Sequence, residues 1–121
     1  MQKLTEQDLE HWTGTENYYK STFGKLNLTD GMHYLREKAN SYWLIDIIES
    51  VQHLQKIKKN KQFIVWKIEV FEDDKFKVSA WSDTPYDSEN LYTQIGEYTD
   101  FPIRDLEFYQ CEDILLLKGE Y

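Results

Sequence analysis

The hydrophobic period of this chain changes once, at Phe63, and that change constrains the fold more than any other feature. Before it, Leu44, Ile47, Ile48, Val51 and Leu54 recur at i, i+3, i+4, i+7 and i+10, the spacing of one face of an α-helix. After it, Ile64, Trp66, Ile68 and Val70 alternate with Phe63, Val65, Lys67, Glu69 and Phe71, so successive side chains point to opposite faces of a strand. Helices followed by a run of strands is an α+β order. A chain of 121 residues suits one domain, and its 16% aromatic content gives ample apolar surface to bury, which argues against disorder. The expectation is a single α+β domain over 1–121, mainly helical in 1–60 and mainly strands in 62–118. Its N-terminal helices should pack on one face of an antiparallel sheet of about five strands.

Local signals fill in this outline. Thr5 and Asp8 form a capping pattern for a short helix over about 5–12. Thr15 would cap a second short helix through Tyr18, Tyr19 and Lys20, and Asp30 a third through Met32, Tyr34 and Leu35. The segment from Ser41 to Lys56, its stripe widened by Trp43 and Ile45, reads as one core helix. Glu72-Asp73-Asp74-Lys75 is a polar turn between the strand from Phe63 and a second carrying Phe76, Val78 and Ala80. Further strands are expected near Leu91–Tyr98, Leu106–Gln110 and Ile114–Lys118, with Glu112-Asp113 as the turn joining the last two.

The net charge of −8 is divided unevenly. Residues 1–61 carry 9 Lys/Arg and 8 Asp/Glu, net +1, whereas residues 62–121 carry 5 and 14, net −9. Such a balance argues against direct nucleic-acid binding, which rests on clustered cations. The densest basic run, Lys56-Ile57-Lys58-Lys59-Asn60-Lys61, reads as a solvated helix end. Cys111 is the one cysteine, so no disulfide within the chain is expected. No apolar run approaches the length that spans a bilayer, and a soluble cytoplasmic protein without membrane association is the expectation.

Motifs of common chemistry are missing: there is no phosphate-binding glycine loop, nucleophile elbow or zinc-ligand spacing around His11, His33 and His53. No catalytic residue, metal or cofactor is therefore expected. His33 and Glu37 read as an exposed i,i+4 pair, and Cys111 as a small buried hydrophobe. Asp46, Glu49, Ser50 and His53 share one helical face and read as the polar edge of the core helix. Two Thr-Asp pairs, Thr29-Asp30 before Gly31 and Thr99-Asp100 before Phe101-Pro102, suit turns and caps. Were those loops to meet, Asp30, Asp46 and Asp100 would line a carboxylate pocket. An interface is expected instead around Glu72, Asp73, Asp74, Trp81, Asp83, Tyr86 and Asp87, where aromatic anchors adjoin charge.

Several strings together carry a resemblance: Thr13-Gly14-Thr15-Glu16-Asn17-Tyr18-Tyr19, Thr29-Asp30-Gly31, Tyr42-Trp43-Leu44-Ile45-Asp46, Thr99-Asp100-Phe101-Pro102 and the ending Leu115 to Tyr121. Over nearly its whole length the chain resembles a family of small bacterial proteins of unknown function met in phage- or plasmid-like gene neighbourhoods. The resemblance implies a bacterial or mobile-element origin and carries no activity or site residues with it. The leading expectation is a small acidic, non-catalytic interaction module directed at a basic protein partner. One alternative is a small-ligand protein or enzyme using the aspartate pocket, and another a homodimer paired through exposed sheet edges.

Overall fold

The computed structural model describes residues 4–82 and 89–121. In chain order the elements are α1 (Glu6–Glu10), β1 (Tyr19–Lys20), β2 (Asn27–Leu28), α2 (Asp30–Lys38), α3 (Tyr42–Ser50), α4 (Gln55–Lys59), β3 (Ile64–Val70), β4 (Phe76–Trp81), β5 (Asn90–Gly96), β6 (Asp105–Cys111), β7 (Ile114–Leu117) and a 3-10 turn (Lys118–Glu120). The fold is α+β, with helices on one face of a seven-stranded sheet. Its strand order is β1-β2-β7-β6-β3-β4-β5. Every neighbouring pair is antiparallel except β2 and β7, which run parallel. The count is seven rather than five because β1 and β2 add two strands too short to show any period in sequence.

Alternation decides which side chains form the core. Ile64, Trp66, Ile68 and Val70 of β3, Val78 and Ala80 of β4, Phe108 of β6, and Leu115 and Leu117 of β7 face the helices and are buried with Leu35, Leu44, Ile45 and Ile48. The opposite face carries Lys67, Glu69, Lys77 and Glu107, half-buried, with Lys67 paired across the ladder to Glu107 and Glu69 to Lys77. Opposite charges in register stabilise that face.

The helices depart from the sequence reading in two places. The expected helix from Ser41 to Lys56 is broken: α3 ends at Ser50, Leu54 is extended, and α4 begins at Gln55. At the break Gln52 Nε2 donates to the Ile48 carbonyl and to Gln110 Oε1, both at 3.1 Å. Gln110 Oε1 also accepts from Trp66 Nε1 at 2.9 Å, so the break satisfies a polar network buried between α3 and the sheet. The helix expected after Thr15 is absent. Thr15 Oγ1 instead donates to the Asn17 carbonyl and accepts from the Asp30 amide, leaving 19–20 free to pair with β2.

Thr5 and Asp8 cap α1, the Thr5 amide donating to Asp8 Oδ2 at 2.9 Å. Thr29 rather than Asp30 caps α2, its hydroxyl accepting from the Met32 amide at 3.3 Å. α2 stops where Asn40 takes φ +49 and the Ser41 amide reaches back to the Arg36 carbonyl. Glu112, at φ +56, turns β6 into β7. No helix among the described residues is long and apolar enough to cross a membrane.

Candidate functional site

Strand direction sorts the charges. β3, β5, β7 and β2 run one way, so the Phe71–Lys75 turn, the 97–104 loop, the 118–120 turn and Thr29-Asp30 gather at one end of the sheet. Two hydrogen bonds tie this end together, from the Thr99 amide to the Asp74 carbonyl and from the Val70 amide to the Arg104 carbonyl, each 2.8 Å. Across residues 71–75 and 97–105 stand six carboxylates, Glu72, Asp73, Asp74, Glu97, Asp100 and Asp105, against Lys75 and Arg104. The backbone beneath them is anchored. Thr99, Phe101 and Ile103 are buried, and Phe101 meets the Trp43 ring edge-on with centroids 6.2 Å apart. The acidity of the second half is thus concentrated on a fixed frame.

Beside this end a cleft of about 390 Å³ opens between α1 and the ends of β6 and β7. Its floor is Leu9, Leu106 and Leu117, and its rim carries Glu6, Glu10, Asp105 and Glu107. Lys118 also lines it and donates to Glu107 Oε1 at 2.6 Å, a bond that holds the ammonium pKa above its usual value against the opposing effect of burial. Among the described residues no ion pair engages Glu6, Glu10 or Asp105. A carboxylate rim over an apolar floor fits a lysine or arginine side chain, whose stem is apolar and whose head is charged.

The sequence-selected residues divide differently. Asp30 accepts from the Glu16 amide at 2.8 Å. That bond, the largest influence on it, holds its carboxyl below the ordinary value against the opposing effect of burial. Asp46 accepts from Thr22 Oγ1 at 2.7 Å in the turn between β1 and β2, at the other end of the sheet. Asp100 is exposed beside Asp74, three to four strand positions from β2, or about 14–19 Å at ordinary strand spacing. No hydrogen bond joins any two of these aspartates among the described residues, and they occupy three neighbourhoods. Glu72, Asp73 and Asp74 lie on the acidic end, whereas Trp81 closes the opposite end of β4, its Nε1 donating to Ser79 Oγ at 3.0 Å. The proposed neighbours Asp83, Tyr86 and Asp87 lie outside the described residues.

Other candidates have structural partners. His33 is not paired with Glu37: it stacks on Tyr19 with centroids 3.8 Å apart, and its Nδ1 accepts from Arg36 Nη2 at 3.1 Å. Glu37 accepts from the Tyr42 hydroxyl. Burial, then the charge of Glu112, pushes the Cys111 thiol pKa up, away from a reactive thiolate. Among the described residues no group of three or more His, Cys, Asp or Glu could hold a metal ion.

Two carboxylates hold the fold in ways the sequence did not specify: Glu49, read as part of a polar helix edge, and Glu120, which carried no signal. Glu49 is buried and accepts from the Ser21 hydroxyl and from the Phe23 and Lys25 amides at 3.0 and 2.9 Å. Glu120 accepts from Thr29 Oγ1 at 2.6 Å and from the Gly31 and Leu117 amides at 3.0 Å, tying the chain's last turn to the start of α2. Only Glu49 had a sequence signal, since it falls four residues after Ile45 and one after Ile48, inside the apolar stripe.

A model of DUF6876, a family of unknown function, matches residues 3–121. No curated protein and no solved structure matches the chain.

Proposed function

We propose that this chain, which belongs to the DUF6876 family, is a non-catalytic binding module that takes a basic segment of a partner protein at the acidic end of its sheet. The observation that carries this reading is the cleft, which sets Leu9, Leu106 and Leu117 beneath Glu6, Glu10 and Asp105. An apolar floor receives the methylene stem of a lysine or arginine, and the rim neutralises its head. The neighbouring carboxylates Glu72, Asp73, Asp74 and Asp100 extend the same sign of charge along the turn and loop. They draw a cationic partner by long-range attraction that added salt screens. Basic proteins, those that bind nucleic acid among them, have the complementary surface. A non-catalytic role is further supported by Asp30, Asp46 and Glu49, whose carboxylates hold loops of the fold.

Affinity capture from a nuclease-treated bacterial lysate at low and raised salt tests the proposal. A stoichiometric basic partner should be retained at low salt and lost at raised salt. The triple variant Glu72→Lys/Asp100→Lys/Asp105→Lys should abolish capture, and Glu112→Lys/Asp113→Lys at the opposite end should leave it intact. Equal loss from both variants would refute a site at the acidic end.

A further inference from the structure

The sheet has two unlike edges. β1 is two residues long, but β5 exposes seven, Asn90–Gly96, and among the described residues nothing pairs with its outer side. β3, β4 and β6 each carry charged residues, whereas β5 reads Asn-Leu-Tyr-Thr-Gln-Ile-Gly, with no charge and no proline. Natural edges are blunted by shortness, lysine, proline or a bulge; β5 is not short, has no lysine or proline, and its one register shift, opposite Ala80 and Trp81, is confined to its start. Ile95, 69% exposed, is the one aliphatic among the exposed large apolar side chains of the described residues, and it lies on this strand.

We propose that β5 pairs with β5 of a second copy of this chain, antiparallel about a two-fold axis, joining the two sheets edge to edge. The charge distribution selects a second copy as the occupant. β5 starts at the end of the sheet where α4 packs against it, with Lys56, Lys58 and Lys59 exposed and Lys56 Nζ 3.7 Å from Glu89. It finishes at the acidic end, beside Glu97 and Asp100. Antiparallel pairing reverses the second copy, so the lysines of each α4 approach the Glu97 end of the other β5. A two-fold axis makes this match twice. The uncharged strand between the two ends brings no like charges into register, which matters for two chains of net charge −8. Pairing centred on Thr93 sets that residue opposite its own copy and Tyr92 opposite Gln94, within the regular part of the strand. The acidic cleft, three strands away at β6, stays open.

Sedimentation velocity of the full chain, from micromolar to near-millimolar concentration, tests the pairing. The expected species has twice the 14.6 kDa mass of the chain, and raised salt weakens it. Thr93 is exposed, so Thr93→Lys and Thr93→Glu should each fold, by circular dichroism, and each sediment as a monomer. An equimolar mixture of the two should recover the dimer, because opposite charges then meet at the axis. Ile95→Lys gives a second, independent disruption, and Lys20→Glu on β1 should leave the mass unchanged. A wild-type monomer throughout the range, or a dimer indifferent to Thr93 and Ile95, would overturn the proposal.

Discussion

A buried carboxylate is tolerated only when donors replace the water it loses, and Glu49 meets that condition. Burial alone would raise its pKa, but the hydrogen bonds from Ser21, Phe23 and Lys25, with the Lys25 charge, together outweigh it and hold the carboxyl below the ordinary 4.5. A pKa depressed by folding adds stability that is full above the unfolded value and is lost as pH falls through the folded one. Urea midpoints of wild type and Glu49→Gln, measured from pH 7 downward, should therefore differ most above pH 4.5 and converge below it. Glu49→Ala, which strands two amides and a hydroxyl, should cost about 2–3 kcal/mol at pH 7. Gly31 makes a parallel point about space. A Cβ there would collide with the Glu120 carboxylate and stand 2.7 Å from the Leu117 side chain. Gly31→Ala should lower stability by about 1–3 kcal/mol in the same assay. In the sequence Gly31 reads as a turn residue, and Glu120 carries no local signal. Their contact joins positions 89 apart in sequence, a pairing that local spacing does not encode.

Elements with a clear period were legible and elements without one were not. The β3–β4 hairpin follows from the alternation after Phe63, and the β6–β7 hairpin beside it from two short apolar runs joined at Glu112-Asp113. β1 and β2 offer two residues each, and their pairing depends on Thr15 and Asp30 exchanging bonds with the backbone around them. The sequence reads 41–56 as one helix because the apolar stripe continues through Val51 and Leu54, while Gln110, the partner that Gln52 bonds at the break, stands 58 residues away. Trp66, Gln52 and Gln110 then act as a unit. Gln110→Leu should cost about 2–4 kcal/mol by leaving Gln52 and the Trp66 indole without their buried partner. Adding Gln52→Leu should recover part of that loss. A double-mutant cycle in urea checks the coupling, and strict additivity would show the network to be energetically divisible.

At the scale of the molecule, the uneven charge of the sequence becomes a difference between the two ends of the sheet. The excess of carboxylates after residue 61 was visible in sequence, but their gathering at one end depends on which turns the strand order brings together. The three aspartates part at this same step: Asp30 opens α2, Asp46 lies on α3 against the β1–β2 turn, and Asp100 stands on the loop between β5 and β6. If Glu72, Asp100 and Asp105 serve binding rather than folding, converting all three to lysine should leave the urea midpoint unchanged, because none of them makes a side-chain hydrogen bond among the described residues. The most direct test of an acidic-end binding site is amide chemical-shift mapping of the labelled chain titrated with an arginine-rich peptide. Saturable shifts confined to Glu6–Glu10, 71–75, 97–107 and 117–119, diminished by salt, are expected. Shifts spread evenly over both ends of the sheet, or centred on Glu112 and Asp113, would contradict such a site.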